Sequence, residues 1–273
     1  MNQASFDARD YSGTGPQNYQ KYFVPAIGAP LAEDLIRAAA LQPQDRVLDV
    51  ACGTGVVTRL AAKAVRGEGH AAGLDVNPGM LAVARTISLD NSIDWYETSA
   101  AAMPLPDESY DVVLCQMGLQ FMPGKPQALR EIRRVLAAGG RALFNLSGPK
   151  PAVFAILADA LSRHIDPRCA DFIDVVFSLH DAEELSSLMA EAGFEKVEIQ
   201  TETRTLKLPT PQDFLWQYVH STPLAGLVNE APPQNRDALS ADVIERWQQF
   251  VVNDALRLRV DMTTVQGKRA QEG

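Results

Sequence analysis

Val47-Leu-Asp-Val-Ala-Cys-Gly-Thr-Gly55 runs from a short apolar, β-branched segment directly into a glycine-rich turn. Arg46 to Val50 therefore reads as a strand. Beyond the turn, Val56, Val57, Leu60, Ala61 and Ala64 recur at helical spacing, and Thr54 is placed to cap that helix. Glycines at 53 and 55 permit positive φ and let the backbone approach a ligand closely. Strand ends at such turns form the ligand crevice of open α/β sheets. A G-x-G turn alone does not choose the ligand, because dinucleotide enzymes share it. Three features narrow the choice. Thr58 stands where G-x-G-x-x-G would have its third glycine, and Asp49 precedes the glycines. Asp75 follows Gly55 by 20 residues at the end of the next strand, where a carboxylate can accept both hydroxyls of a ribose.

Outward from this turn the chain alternates strand and helix. Leu31, Leu35, Ile36, Ala39 and Ala40 mark a helix over Pro30 to Leu41, ended by Pro43. Ala71 to Val76, Ile93 to Thr98, Tyr110 to Cys115 and Arg141 to Leu146 read as strands. Helices begin at Asn77-Pro78 and at Pro126, the second running to Leu136 with Gly139-Gly140 as its stop. The unbroken apolar run after Tyr110 suits a central parallel strand buried on both faces. After Pro149 the pattern loosens. Helices are expected over Ala152 to Arg163, Ala182 to Ala192, Pro211 to Val219 and Leu239 to Leu256. A long strand is expected over Lys196 to Leu208, a closing one over Leu258 to Val265, and a frayed tail from Gly267. Met1 to Gln20 is expected to be ordered only in part.

Four ordered stretches carry a family resemblance: Val47 to Gly55; Gly73-Leu-Asp-Val-Asn-Pro-Gly-Met-Leu81; Ser109-Tyr-Asp-Val-Val-Leu114; and Leu129-Arg-Glu-Ile-Arg-Arg-Val-Leu136 followed by Gly139-Gly140. In these the chain resembles class I methyltransferases of the ubiquinone/menaquinone-biosynthesis C-methyltransferase type, also called methyltransferase type 11. The resemblance runs from about Tyr19 to Leu146. It implies an α/β fold, a doubly wound, Rossmann-like, mostly parallel seven-stranded sheet with an antiparallel edge strand and a helical insertion. It implies S-adenosyl-L-methionine as cofactor. Asp49 and the backbone at Ala51, Gly53 and Gly55 would hold the methionine end, Asp75 the ribose, and Val76 and Met80 would pack near the adenine. Ser99, Ala100 and Ala101 would meet the adenine edge; relatives commonly carry Asp where Ser99 stands, so a charge-assisted bond is lost here. Gln116 and Met117 would face the methionine arm and the reactive methyl, and Tyr19 and Tyr22 match an N-terminal helix lying over the cofactor.

Composition and the remaining residues bound the function. The 273 residues carry a formal net charge of -9 and no Lys/Arg block, which argues against a nucleic-acid partner and for a small-molecule methyl acceptor. Cys52, Cys115 and Cys169 are scattered, so no disulfide framework, zinc site or other metal centre is expected, and a reducing cytoplasm suits them. Cys52 reads as a small apolar filler and Cys115 as core. Residues 1–10 do not read as a signal peptide, and no apolar run is long enough for a membrane span. His164, His180 and His220 are base candidates by type, each more often a surface or capping histidine, and no catalytic residue is assigned.

Phe154, Phe172, Phe177, Phe214, Trp216 and Tyr218 could line an apolar or aromatic acceptor site, with core packing the better reading for each alone. Met117, Phe121 and Met122 divide evenly between core and pocket. Cys115-Gln-Met-Gly118 stands where an Asp/Asn-Pro-Pro-Tyr motif would signal methylation of nucleobase or amide nitrogen. The expected organisation is a helical cap over residues 1–42, a cofactor core over 43–148 and substrate-side elements over 149–273. A homo-oligomer is left open. The competing readings are a dinucleotide oxidoreductase, disfavoured by Thr58, and a non-catalytic cofactor-binding or regulatory member of the same fold.

Overall fold

Eight segments pair into the sheet of the computed structural model, which describes residue 11 and residues 13–65, 67–88 and 92–271. The expectation for residues 1–10 lies outside the described residues. The strands are β1 (Arg46–Val50), β2 (His70–Asp75), β3 (Ile93–Glu97), β4 (Tyr110–Gln116), β5 (Leu136–Ser147), β6 (Glu195–Lys207), β7 (Val251–Val252) and β8 (Ala255–Lys268). The main order is β3-β2-β1-β4-β5-β8-β6, with the two-residue β7 paired to β8 off that path. Strands β1 to β5 are mutually parallel, and β8 runs antiparallel to both β5 and β6. This is the mostly parallel, seven-stranded Rossmann-like sheet, with its reversed strand one place inside the edge.

The apolar run in β4 follows from its central position. Val113 and Cys115 join one core cluster, while Val112 and Leu114 join the cluster on the opposite face. Helix Val56–Val65 covers the second face through Val57, Ala61 and Val65, and helix Lys125–Val135 covers the first through Ala128, Leu129, Ile132 and Val135. Both sets recur every three or four residues, which places each stripe on one side of its helix. A third cluster joins Ile27 and Leu31 of the N-terminal region to helices Ala152–His164, Arg168–Val176, Pro211–His220 and Pro233–Trp247. At its centre Trp247 is fully buried and donates its indole N–H to the Val153 carbonyl at 2.9 Å.

Several boundaries differ from the expectation. The helix beginning in the 230s ends at Trp247, because Asn253 and Asp254 take φ of 51° and 59° and turn β7 back onto β8. An Asn-Asp pair at two positive-φ positions is good hairpin chemistry. β5 starts at Leu136, and Gly139 (φ 77°) sits at a register shift between β4 and β5 instead of stopping a helix. The expected frayed tail is paired: Gly267 and Lys268 oppose Ala142 and Arg141. Thr54 does not cap its helix; its hydroxyl donates to Gln20 Oε1 at 2.7 Å. Helices Arg168–Val176 and Leu224–Glu230 were not read from the sequence. Nor was the π-helical segment Tyr19–Gly28, which contains Pro25, a residue with no N–H to donate to a regular helix.

Trp95 fixes the sheet's left side. Its ring lies over its register partner Gly73, where an added Cβ would come within 2.5 Å of Cζ3. Gly73→Ala should therefore cost about 1–3 kcal/mol by overpacking. In a Trp95→Leu background that cost should largely vanish, as urea denaturation of the four species would show. An equal cost in both backgrounds would contradict the contact.

Candidate active site

The strand order reverses between β1 and β4, so their C-terminal ends open a crevice. Both chains leave their strands in unusual backbone. Ala51 follows β1 with φ 58°, and Met117 follows β4 with φ 49°. Neither type favours the left-handed region, so the surroundings must hold them there. Cys52 N–H donates to Leu74 O at 3.0 Å, and Met117 N–H donates to Asn145 O at 2.8 Å. The two turns also touch: a Cβ on Gly118 would meet Ala51 Cβ at 2.6 Å and Cys115 Sγ at 3.0 Å. Gly53 (φ 55°) meets the need for positive φ, and an added Cβ would lie 3.8 Å from Tyr19 Cε1.

Two acids stand behind this turn. Asp49 is 1% exposed and accepts a 2.6 Å hydrogen bond from the Thr58 hydroxyl. The residue that replaces the third glycine thus donates to the buried carboxyl. Burial pushes Asp49 up from 3.8 to about 7, against the opposing pull of Thr58. Asp75 accepts from Gly53 N–H at 2.7 Å and from Asn77 N–H at 2.8 Å, while Asn77 caps the next helix through Met80 N–H. Burial raises Asp75 as well. The thiols of Cys52 and Cys115 are driven upward by burial, the latter to about 12, so neither is a thiolate.

A cavity fills the crevice. Its walls include Ala51, Gly53, Asp75, Val76, Met80, Ser99, Ala100, Ala101, Gln116 and Met117. These come from the ends of β1, β2 and β4 and from the loop after β3, so the topology brings together residues distant in sequence. Asp49 and Gly55 do not line it: Asp49 is turned to Thr58, and Gly55 (φ 81°) lies under Trp95. Tyr22 does not line it either and sits beneath Lys21 Nζ, 4.9 Å from its ring centre. Tyr19 does, together with Tyr11, which meets it edge-on at 5.9 Å. Burial raises both phenols, so they stay protonated. Ser99 Oγ accepts from Ala101 N–H at 3.2 Å and stabilises its own turn.

The far wall is apolar: Phe121, Met122, Pro123, Phe172 and Pro223. Phe121 and Phe172 stack at 6.2 Å. Of the six aromatics expected there, only Phe172 lines the cavity. Phe154, Phe177, Phe214 and Tyr218 pack on one another in the third core cluster, with Trp216 against it. Tyr11 and Pro223 were missed, and no sequence period marks them. No histidine lines the cavity: His164 pairs with Asp242 at 3.0 Å, His180 bonds Phe177 O, and His220 stacks on Trp216. Among the described residues no lysine or arginine lines it, and no cluster of His, Cys, Asp or Glu could hold a metal.

The raised carboxyl of Asp49 has a pH signature. The unfolded chain releases this proton near 3.8 and the folded chain near 7, so stability falls as pH climbs between these values and is level above. The stability of Asp49→Asn relative to wild type should rise from about pH 5 to about pH 7 and then plateau in denaturant titrations. A pH-independent difference would contradict the assignment.

Comparison with known proteins places this geometry. The "Methyltransferase domain" family model matches residues 47–140. The chain is 32% identical over 179 residues to the ubiquinone/menaquinone biosynthesis C-methyltransferase UbiE of Shewanella frigidimarina, spanning 60% of this chain and 71% of the relative. It is 33% identical over 178 residues to the UbiE of Ectopseudomonas mendocina, spanning 59% and 70%. The fold is shared with phosphoethanolamine N-methyltransferase 2 of Haemonchus contortus in complex with S-adenosyl-L-methionine, at a TM-score of 0.63 and 16% identity over 99% of this chain and 62% of that one. It is shared also with the YcgJ protein of Bacillus subtilis, at a TM-score of 0.56 and 20% identity over 89% and 98%. The family match runs from the glycine turn through β4 to the start of β5, not the turn alone, and the chain belongs to the class I S-adenosylmethionine-dependent methyltransferases.

Proposed function

We propose that this enzyme methylates a small, largely apolar, ring-bearing acceptor at carbon. One observation carries the reading: among the described residues the wall beyond Gln116 and Met117 is made of Phe121, Met122, Phe172 and Pro223, with no histidine, lysine or arginine. Such a wall takes a flat apolar molecule by burial. It offers no base to strip a proton from an alcohol or an ammonium. An electron-rich ring carbon needs no prior deprotonation: it takes the methyl as the S–CH3 bond breaks, and its C–H proton then leaves to water as the ring regains aromaticity. The relatives that share a third of the aligned residues are named for carbon methylation in quinone biosynthesis, which supports the same choice.

The cavity residues fit the cofactor. Among the described residues Asp75 is the one charged residue of the wall, so a sulfonium and an ammonium meet no like charge from them. The Asp75 carboxylate, held by the backbone N–H groups of Gly53, Asn77 and Val76, keeps acceptor capacity for a ribose hydroxyl. Met80, Ala100 and Leu74 offer apolar surface to a base, with Val76 and Ala101 beside them and Ser99 at its edge. The backbone at Ala51 and Gly53 holds the methionine end, and Gln116 and Met117 flank the methyl. Asp49 and Gly55 support that loop from behind. S-adenosylmethionine supplies an already activated methyl group. The protein's share is then to orient the acceptor and exclude water, an effect worth roughly 7–11 kcal/mol when alignment is good.

In this division of labour, residues 43–148 hold the cofactor, the described part of the N-terminal cap lies over it through Tyr11 and Tyr19, and residues 149–273 supply the acceptor side. No helix among the described residues is long and apolar enough to cross a membrane. The acidic chain with its scattered thiols suits a cytoplasmic enzyme acting on a small molecule, without a nucleic-acid partner.

Asp75→Ala should raise the dissociation constant for S-adenosylmethionine roughly 30-fold or more, about 2 kcal/mol, by removing charge-assisted bonds. Calorimetry would check this, and an unchanged constant would refute the ribose assignment. Incubation with 1,4-naphthohydroquinone and the cofactor should yield a ring-methylated product. A methyl ether, or no product, would overturn carbon transfer.

A further inference from the structure

The connection from β3 to β4, residues 98–109, forms no helix or strand, and it carries Ser99, Ala100 and Ala101 on the cavity wall. Backbone without a ladder keeps its shape through the bonds made to it from elsewhere. One end is tied to β2, where Thr98 N–H donates to Asp75 O at 3.1 Å, and Ala102 N–H closes the turn onto Ser99 O at 3.1 Å. The other end is held by helix Lys125–Val135. Glu131 Oε2 accepts Met103 N–H at 2.9 Å, while Arg134 Nη2 donates to Met103 O at 3.1 Å. Arg134 Nη1 donates to Leu105 O at 2.8 Å and to Asp107 Oδ1 at 2.5 Å. Its Nε and Nη2 also meet the two Glu131 oxygens at 2.8 and 2.9 Å. All five guanidinium N–H groups are thereby engaged, and Met103 has both of its backbone groups held by the pair.

Stability alone does not account for this arrangement. The Arg134 and Glu131 side chains are 29% and 15% exposed, and an ion pair near the surface contributes little to folding. Apolar burial already attaches the loop, since Met103 and Leu105 join Ala128, Leu129 and Ile132 in one core cluster. Burial is non-directional, however, and sets no backbone orientation. A planar, forked guanidinium does, because the carbonyls and the carboxylate must meet its fixed donors. What that orientation serves lies two residues away, where Ala101 faces the cavity. A second arginine supplies the contrast. Arg141 donates to the Ala39 and Ala40 carbonyls and to Asp45 at the start of the paired part of β4 and β5, at the end of the sheet away from the cavity.

We propose that Arg134, held by Glu131, is a positioning residue for the adenine end of the cofactor: it fixes the backbone at Met103 and Leu105 and so sets the wall at Ser99, Ala100 and Ala101 before the cofactor arrives. Arg134 touches no reacting atom. The assignment rests on the reading that this wall meets the base. A wall set in advance lowers the ordering cost of binding, so losing it shows in affinity more than in folding.

The test measures S-adenosylhomocysteine binding by calorimetry, melting temperature, and amide hydrogen exchange on the full chain. Arg134→Met should weaken binding roughly tenfold or more and speed exchange across residues 101–108 of the unliganded protein, with β1 and β4 unchanged. Arg134→Lys keeps the charge and loses the fork, so its constant should stay within about threefold of that of Arg134→Met. Arg141→Met should lower the melting temperature by a similar amount yet leave the constant within about twofold of wild type. Glu131→Gln keeps an acceptor for Met103 N–H and loses the ion pair; it should weaken binding about fivefold, and it decides the matter if Arg134→Met does not fold. Binding within about twofold of wild type in the deciding variant, full recovery in Arg134→Lys, or an equal loss in Arg141→Met overturns the proposal. Ala101→Leu narrows the wall directly and tests the reading beneath it. An unchanged constant there puts the base elsewhere, and the proposal falls with the wall; a weakened one, with Arg134→Met like wild type, removes the clamp alone.

Discussion

The Thr58 hydroxyl, 2.6 Å from Asp49 inside the protein, holds the end of β1 to the helix that follows it. Everything at the site depends on this junction. Asp49 has almost no exposure, so without a donor its carboxyl would be an unmet buried acid. With the strand end pinned, the chain reverses through Ala51, Gly53 and Gly55 in positive φ, and Asp75 receives the Gly53 N–H at 2.7 Å. The turn after β4 then packs onto Ala51, where Gly118 leaves room for no side chain. Two strained non-glycine residues, Ala51 and Met117, face one crevice, each stabilised from outside its own turn.

The cavity built on this junction is equipped to bind and orient. Among the described residues it has one carboxylate, no cation, no histidine and two phenols that burial keeps protonated. Proton transfer is not what these walls are made for. A cofactor with a ready electrophile matches them, since alignment supplies the remaining rate advantage.

The strand-helix alternation through β5 was legible because each strand carries its own local signal. The buried run Val112-Val113-Leu114-Cys115 can hardly be anything but a central strand, and Asn77-Pro78 announces a helix start by its own chemistry. Residues whose position follows from that topology, such as Asp75, Met80 and Ala100, were legible with it. What failed was set by contacts between distant segments. The absence of a third glycine was visible at Thr58, but its bond to Asp49 was not, because the two residues meet only when strand and helix pack. The positive φ at Ala51 and Met117 has no sequence signature, since neither type prefers it. The resemblance points to Tyr19 and Tyr22 and gives no sign of Tyr11; Tyr19 and Tyr11 line the cavity, and Tyr22 does not. Most second-half aromatics proved to be core, as volume alone would favour.

The most direct measurement is a crystal structure with S-adenosylhomocysteine bound. The account predicts both ribose hydroxyls within hydrogen-bond distance of the Asp75 carboxylate, the methionine end against the backbone of Ala51 and Gly53, and the sulfur directed toward Gln116 and Met117. A nucleoside placed elsewhere, with Asp75 bonded only to backbone N–H groups of the protein, would contradict it.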